Sequence, residues 1–147
     1  MIAYRQLRSD DIDSAAAVHR ASLDEQLPWL AGRHTADDDR GYFRDHVFKV
    51  CEVWGAFEEG KMIGVVAFRE GWIDQLHVMP GAQGRGVGSA LLREAQARFP
   101  RLSLWTFQRN ERARRFYEAR GFVALEETDG SRCEEKEPDV RYFWSRS

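Results

Sequence analysis

The amino-acid sequence predicts an α+β fold on a mixed sheet, with its elements in the order βααβββαβαββ. Two observations carry this prediction. Three strand-like runs lie between residues 50 and 79, and tight links at Glu59-Gly60 and Glu70-Gly71 join them, which is typical of an antiparallel meander. An amphipathic helix then separates the third run from the next strand, and the economical connection across a helix is a right-handed crossover between parallel strands. The sequence therefore predicts one parallel pair near the middle of the sheet.

The chain opens with a strand and two helices. Residues 2–7 alternate apolar and polar side chains, as a half-buried strand does. Asp10 offers an N-cap for a helix over residues 11–23, and Thr35 with Asp38 matches a capping box for a second helix through residue 46. The core-facing positions of the first helix recur at helical spacing, at Ile12, Ala15, Ala16, His19 and Leu23.

The later elements follow from the same patterns. The meander strands are predicted at residues 50–58, 61–69 and 72–79. An amphipathic helix begins near Val87, and Pro100 stops it. The remaining predicted elements are a strand at 102–107, a helix that Asn110 caps and Gly121 ends, a strand at 122–127, an acidic loop at 128–139 and a closing strand at 140–144.

Length predicts a single domain over residues 1–147. Two cysteines without paired spacing, and an N-terminal sequence without the pattern of a signal peptide, predict a cytoplasmic protein. The net charge of −2 gives no indication of nucleic-acid binding, and the arginines over 109–120 alternate with glutamates as on a solvated helix face. No segment has the roughly 20 apolar residues that span a bilayer, so we expect no membrane association. Cys51 and Cys133 lack metal-site spacing, so no metal is expected. A homodimer through the closing strand is a further expectation.

A glycine-rich loop stands between the strand at 72–79 and the helix that follows it. Glycines allow tight turns and close backbone approach, and the free amides at a helix N-terminus favour a bound phosphate. A Walker loop requires a lysine, which is absent after Gly88, and a dinucleotide fingerprint places its third glycine at Ser89. Both of these nucleotide motifs therefore fit poorly.

The loop resembles the acetyl-CoA signature of the GCN5-related N-acetyltransferases, the GNAT family. The resemblance lies in Leu76-His77-Val78-Met79-Pro80 and Gln83-Gly84-Arg85-Gly86-Val87-Gly88. It continues in Asn110, Ala113-Arg114-Arg115-Phe116-Tyr117-Glu118 and Gly121-Phe122, and the order of elements agrees with this family over the whole chain. It implies an acyl-CoA N-acyltransferase fold whose two central parallel strands splay apart.

The resemblance also implies how acetyl-CoA binds as the co-substrate. Backbone amides over residues 83–88 hold the pyrophosphate, and the exposed edge of the preceding strand pairs with the pantetheine arm and polarises the acetyl carbonyl. The residues expected to contact the cofactor are Leu76, His77, Val78, Gln83, Gly84, Arg85, Gly86, Val87, Gly88, Ser89, Asn110 and Tyr117.

The implied chemistry is direct transfer of the acetyl group to a primary amine, without a covalent acyl-enzyme. Tyr117 resembles the family's general acid, which protonates the leaving thiolate. The general base stays open among three residues. Asp74 shares a strand face with Leu76 by alternation, His77 has the better intrinsic pKa but faces the other way unless a bulge intervenes, and Glu70 is a third choice.

The acceptor is expected to be a small cationic amine that binds between aromatic residues and an acidic loop. The substrate-binding candidates are Trp29, Phe43, Glu134 and Glu135, with Tyr42, Glu137 and Asp139 beside them. Two other functions remain open: a non-catalytic module that binds or senses acyl-CoA, and a dinucleotide-dependent oxidoreductase.

Overall fold

The computed structural model describes residues 1–133 and 135–146, and the strands in this part of the chain form a seven-stranded sheet. The strands are β1 (Ile2–Gln6), β2 (Glu52–Glu58), β3 (Lys61–Arg69), β4 (Trp72–Val78), β5 (Arg101–Phe107), β6 (Val123–Thr128) and β7 (Asp139–Ser145). Their order across the sheet is β1-β2-β3-β4-β5-β7-β6, and every neighbouring pair is antiparallel except β4 with β5. The predicted α+β class and its parallel pair are confirmed.

The helices are α1 (Ile12–Gln26), α2 (Ala36–Tyr42), α3 (Val87–Arg98) and α4 (Glu111–Glu118). Helix α2 continues through a π-helical turn at Phe43–Val47 and a last α-helical turn at Phe48–Val50. Its start is the predicted capping box, in which the Thr35 hydroxyl accepts from the Asp38 amide at 3.1 Å. Helix α1 extends three residues beyond its predicted end.

Two apolar clusters lie on opposite faces of the sheet. One contains the buried face of α1 and the turn after α2, with Phe43, Val47 and Val65 fully buried. The other contains the buried face of α3 together with Tyr117 of α4. Burying a large apolar side chain contributes about 1.5–3 kcal/mol, so each helix is held on its own face of the sheet.

The parallel strands β4 and β5 splay apart soon after they meet. Among the described residues, the registered pair between them is Trp72 with Ser103, and the Ser103 amide donates to the Gly71 carbonyl at 2.8 Å. Beyond this point the edge of β4 faces the interior of the molecule without a β5 partner. An open strand edge offers backbone donors and acceptors to a ligand.

A bulge in β4 changes the direction of its side chains. Ala67 pairs with Gln75 but Phe68 pairs with Ile73, so Asp74 is the extra residue. The expectation that Asp74 shares a face with Leu76 is therefore wrong. Asp74 contacts Cys51, which packs against the cluster beneath α1, whereas Leu76 packs against the opposite cluster.

Two further expectations are corrected by the fold. Phe43 has no exposed surface and packs in the cluster beneath α1, so its ring is core and does not face a substrate. Strand β7 lies between β5 and β6 and is paired on both sides, so it is not a free edge for pairing across a dimer, and the homodimer itself stays a prediction.

Candidate active site

Two cavities meet in the gap between β4 and β5. The larger has a volume of about 700 Å³ and lies beside α1 and α2, and the smaller has a volume of about 370 Å³ and lies beside the glycine loop and α4. Four residues line both cavities, namely Gln26, Leu76, Ala113 and Tyr117. This junction is where a group bound in one cavity can reach a group bound in the other.

The glycine loop shapes the smaller cavity through its backbone. Gly84 and Gly86 have φ of +79° and +82°, a left-handed conformation that glycine adopts without steric cost, and Gly86 is the N-cap of α3. A Cβ placed on Gly88 would lie 3.2 Å from the Phe116 ring. The loop and the first turn of α3 therefore present amides to the cavity, which is the geometry that binds phosphate.

Two arginines, Arg112 of α4 and Arg120 in the turn after α4, also line the smaller cavity, and the sequence did not predict them as site residues. Arg112 contacts Glu25 at 3.0 Å and donates to the Gln83 side chain. Arg120 donates to the Ser89 hydroxyl through its Nε at 3.0 Å, and its guanidinium lies 3.8 Å from the Phe116 ring centroid. The signal that could have found them is their spacing, since residues 112, 116 and 120 recur every four positions on one helix face.

Arg85 occupies a different position from the one expected of a phosphate ligand. It forms an ion pair with Glu58 of β2, with Nη1 donating to Oε1 at 2.9 Å, and it is not among the residues that line the smaller cavity. Its neighbour Gln83 does line this cavity, and the Gln83 amide lies 3.4 Å from the Val78 carbonyl.

Tyr117 lies at the junction with only 8% of its surface exposed. Its ring contacts those of Phe116, Phe122 and Tyr142 at centroid distances of 5.2, 5.3 and 6.3 Å. Burial raises the pKa of its phenol above the ordinary value of 10, because the phenolate is poorly solvated in this environment. Tyr117 is therefore protonated at neutral pH and has a proton to donate.

A chain of amide contacts holds the C-terminal end of α1 at the junction. Asn110 caps α4, as predicted, by accepting from the Ala113 amide at 3.2 Å, and it donates to Gln26 Oε1 at 2.8 Å. Gln26 in turn donates to the Ser22 hydroxyl at 3.0 Å. Asn110 lines the larger cavity, not the smaller one. Gln26 was missed because the predicted helix ended at residue 23.

Asp74 lines the larger cavity, but its carboxylate already has two partners. Oδ2 accepts from Arg69 Nε at 2.8 Å and from the Cys51 thiol at 3.3 Å. Burial and the neighbouring carboxylate raise the pKa of the Cys51 thiol to about 12. A thiol with this pKa is not a nucleophile at neutral pH.

His77 lines the larger cavity next to a second histidine that the sequence did not predict as a site residue. His19 Nδ1 lies 3.1 Å from His77 Nε2, and Gln75 Oε1 lies 2.7 Å from the same nitrogen. Behind His19, Asp39 is 6% exposed and binds Arg20 through two hydrogen bonds of 2.8 Å. Burial lowers the pKa of His19 to about 4 and lowers the pKa of His77 well below its usual value. Both imidazoles are therefore neutral at pH 7.

Only some of the residues predicted to bind the acceptor line the larger cavity in the structure. Glu135 lines the larger cavity, as does Tyr42, whereas Glu134 lies outside the described residues. Trp29 lies outside the cavity lining, because its indole donates to Glu137 at 3.0 Å and its ring packs beneath Arg109 with 3.8 Å between the guanidinium carbon and the ring centroid.

Two remaining candidates, Glu70 and Asp139, lie outside the lining of both cavities. Glu70 is exposed in the turn before β4, and Asp139 is the first residue of β7. Within the described residues, no helix has the length and apolarity to cross a bilayer, and no group of three or more metal-ligating side chains is found.

Comparison with known proteins identifies the family of this chain. The family model described as the Acetyltransferase (GNAT) family matches residues 17–122. The peptidyl-lysine N-acetyltransferase YiaC of Escherichia coli (strain K12) is 39% identical over 80 residues, which make up 54% of this chain and 55% of that protein. The chain thus aligns with about half the length of this curated relative.

Solved structures share the fold over nearly the full chain. The apo form of YjaB from Escherichia coli has a TM-score of 0.78 at 22% identity, covering 100% of this chain and 99% of that one. The PaiA N-acetyltransferase from Thermoplasma acidophilum, in complex with coenzyme A, has a TM-score of 0.73 at 20% identity, covering 99% of each chain. These identities show the fold alone. The match of the family model over most of the chain shows that the protein belongs to the GNAT acetyltransferase family.

Proposed function

We propose that this protein is an acetyl-CoA-dependent N-acetyltransferase that moves the acetyl group directly onto a primary amine of a cationic acceptor. The observation that carries the proposal is the position of Tyr117, which lines both the cavity beside the glycine loop and the cavity beside α1 and α2. A proton donor at this junction suits the departure of a thiolate from one side while an amine attacks from the other.

The smaller cavity fits acetyl-CoA by its own geometry. The left-handed glycines and the close packing of Gly88 on Phe116 leave the loop amides open to a pyrophosphate. The free edge of β4 supplies backbone groups to the pantetheine arm, and an N–H over residues 76–78 polarises the acetyl carbonyl. Acetyl-CoA supplies the activated thioester, and the backbone groups of this chain orient it and stabilise the negative charge that develops on the acetyl oxygen.

The larger cavity favours a cationic amine. Its lining carries the acidic residues Asp24, Asp38, Asp39, Asp74 and Glu135 against the arginines Arg20 and Arg33. This excess of carboxylates raises the local concentration of a cation. We propose a small cationic amine as the acceptor. The partial relationship to a peptidyl-lysine N-acetyltransferase makes the ε-amine of a lysine side chain the second candidate.

We also propose that the protein acts in the cytoplasm, because both cysteines are free thiols and the chain carries no pair with disulfide geometry among its described residues.

The decisive experiment compares Tyr117→Phe with wild type in release of CoA from acetyl-CoA over a panel of amines and a lysine peptide. Loss of the general acid lowers kcat by about 10²-fold or more, while the dissociation constant of CoA stays within about twofold. Tyr4→Phe, on the edge strand β1 and outside both cavities, is the matched control and keeps full activity.

Tight CoA binding without turnover on any amine would contradict the proposal and favour a non-catalytic acyl-CoA module. Binding of NAD with no binding of CoA would favour an oxidoreductase. Preference for the lysine peptide over free amines would replace the small acceptor with a polypeptide.

A further inference from the structure

We propose that His77 is the group that accepts the amine's proton, and that His19 and Asp39 are positioning residues that fix which ring nitrogen of His77 is free. This inference rests on the proposed acetyl transfer and names the base for that reaction. The observation behind it is a line of contacts from Asp39 through His19 to His77 on the wall of the larger cavity.

The contacts of His77 determine its tautomer. Gln75 Oε1 can only accept a hydrogen bond, so the His77 Nε2 at 2.7 Å carries the proton. The same Nε2–H faces His19 Nδ1 at 3.1 Å, which makes that nitrogen the acceptor. The remaining nitrogen of His77, Nδ1, therefore holds a lone pair, and the described residues give it no hydrogen-bond donor. That lone pair is the base.

The tautomer of His19 follows from that of His77. With Nδ1 accepting, His19 carries its proton on Nε2, which lies 3.9 Å from Asp39 Oδ1. Asp39 is fixed in turn by its paired hydrogen bonds with Arg20. At this distance there is no hydrogen bond, but the negative charge of Asp39 electrostatically favours the His19 tautomer that carries its proton on Nε2.

The alternative base is already engaged. Asp74 accepts from Arg69 and Cys51, and taking a proton from an amine would weaken its ion pair with Arg69. His77 gives up no ion pair on protonation. Its Nε2–H contacts with Gln75 and His19 remain in place while Nδ1 gains the proton.

The proton and electron balance is complete with these groups. The neutral amine attacks the acetyl carbon and forms a C–N bond, so its nitrogen becomes cationic, and His77 Nδ1 takes one proton from it. The C–S bond then breaks with its electron pair on sulfur, and Tyr117 gives that sulfur a proton. Solvent returns a proton from His77 to the Tyr117 phenolate, which leaves the amide and CoA thiol as products.

The first test replaces the base while keeping its hydrogen bonds. His77→Gln places an amide N–H near the position of Nε2, so contacts with Gln75 and His19 are retained, but the basic ring nitrogen is lost because an amide does not take up a proton at neutral pH. We expect kcat to fall about 10²-fold or more with the CoA dissociation constant unchanged. His46→Gln is the matched control, because His46 is exposed and lies outside both cavities. Asp74→Asn removes one carboxylate of the larger cavity, so it should raise the KM for a cationic amine more than it lowers kcat.

The second test separates positioning from packing. His19→Asn keeps an acceptor near the position of Nδ1 and is expected to hold kcat within about fivefold, whereas His19→Leu lowers kcat about tenfold or more. Neither variant should change the KM for acetyl-CoA. A packing role alone predicts equal losses in both variants and a lower melting temperature that tracks activity.

The third test determines directly which ring nitrogen of each histidine carries the proton. Long-range nitrogen–proton NMR of the unmodified protein should show His77 protonated on Nε2 and His19 protonated on Nε2. The pH profile of kcat/KM should lose its acidic limb in His77→Gln. The charged and titratable groups that act on His77 and His19 are Arg20 on α1, His34 before α2 and Asp39 on α2, and Asp38, Asp74 and Glu135 line the same cavity.

The inference is overturned if His77→Gln keeps kcat within threefold of wild type, or if His77 is protonated on Nδ1. These failures are distinct from failure of the proposed function, because wild-type acetylation and its loss in Tyr117→Phe would persist in both cases.

Discussion

The two cavities that meet at Tyr117 are built in different ways. The smaller is shaped by the backbone of one continuous stretch, β4 with its glycine loop, together with one face of α4. The larger is shaped by side chains from α1, α2, α4, β4, β5 and the loop before β7, brought together only by the fold. We call the smaller cavity the cofactor end of the site and the larger cavity the acceptor end. The cofactor end depends on local backbone conformation, whereas the acceptor end depends on buried charges and on contacts between residues far apart in the sequence.

The acceptor end should make folding sensitive to acid, and this is the largest effect we predict. His19 has a pKa of about 4 in the folded protein against 6.5 when unfolded, so the unfolded state binds more protons between these values. The free energy of unfolding should therefore fall as pH drops through this window, by roughly 3 kcal/mol at most, and His77 adds in the same direction.

Urea denaturation at about pH 7 and about pH 4.5 measures this change. His19→Gln should show a shallower pH dependence than wild type. The pKa of Glu58, near the glycine loop, is lowered by Arg85, but this exposed pair contributes little in the same window. Equal slopes in wild type and variant would show that His19 does not carry the effect.

The cofactor end should be sensitive to backbone strain at a single position. Gly86→Ala places a side chain at φ +82°, which costs about 1–3 kcal/mol and should weaken acetyl-CoA binding by about 5-fold to 100-fold. Gly81→Ala is the matched control, because an added Cβ there meets nothing within 4 Å. Calorimetric titration of CoA gives both constants, and similar affinities would argue against a backbone cradle.

A smaller effect is expected from removing the guanidinium of Arg120, which lies beside the glycine loop. Arg120→Gln removes the contacts with Ser89 and the Phe116 ring, and an exposed cation of this kind is worth about 0.5–1 kcal/mol. CoA binding should weaken about threefold. Arg115→Gln changes an exposed arginine of α4 that lies outside both cavities and should leave the affinity unchanged. A salt titration of the affinity should show a shallower slope for Arg120→Gln alone.

The smallest effect is predicted for Cys51. Its raised pKa and its bond to Asp74 keep the thiol protonated, so direct transfer needs no acyl-cysteine. Cys51→Ala should keep the acetylation rate within about twofold of wild type. Mass spectrometry after incubation with acetyl-CoA alone should find Cys51 unmodified, and stoichiometric acetylation there would contradict the direct route.

The contrast between the cavities also explains what the sequence could predict. The meander, the glycine loop and the position of Tyr117 follow from patterns within short stretches, and the structure has them in the predicted order. The contact between His19 and His77 joins residues 58 positions apart, and neither helical spacing nor strand alternation indicates it. Spacing placed His19 on the buried face of α1 but gave it no partner, and an unseen bulge turned Asp74 away from Leu76.

The position of β7 has a consequence for how the site is assembled. Strand β5 forms one side of the gap between β4 and β5. Most of its registered pairs are with β7, which follows it in the sequence by more than thirty residues. The meander of β2, β3 and β4 can pair as soon as it leaves the ribosome, but β5 lacks its main partner until β7 has been made. Because long-range pairing is slow, the two halves of the cleft should form at different times, and acetyl-CoA should bind only after the second half has closed.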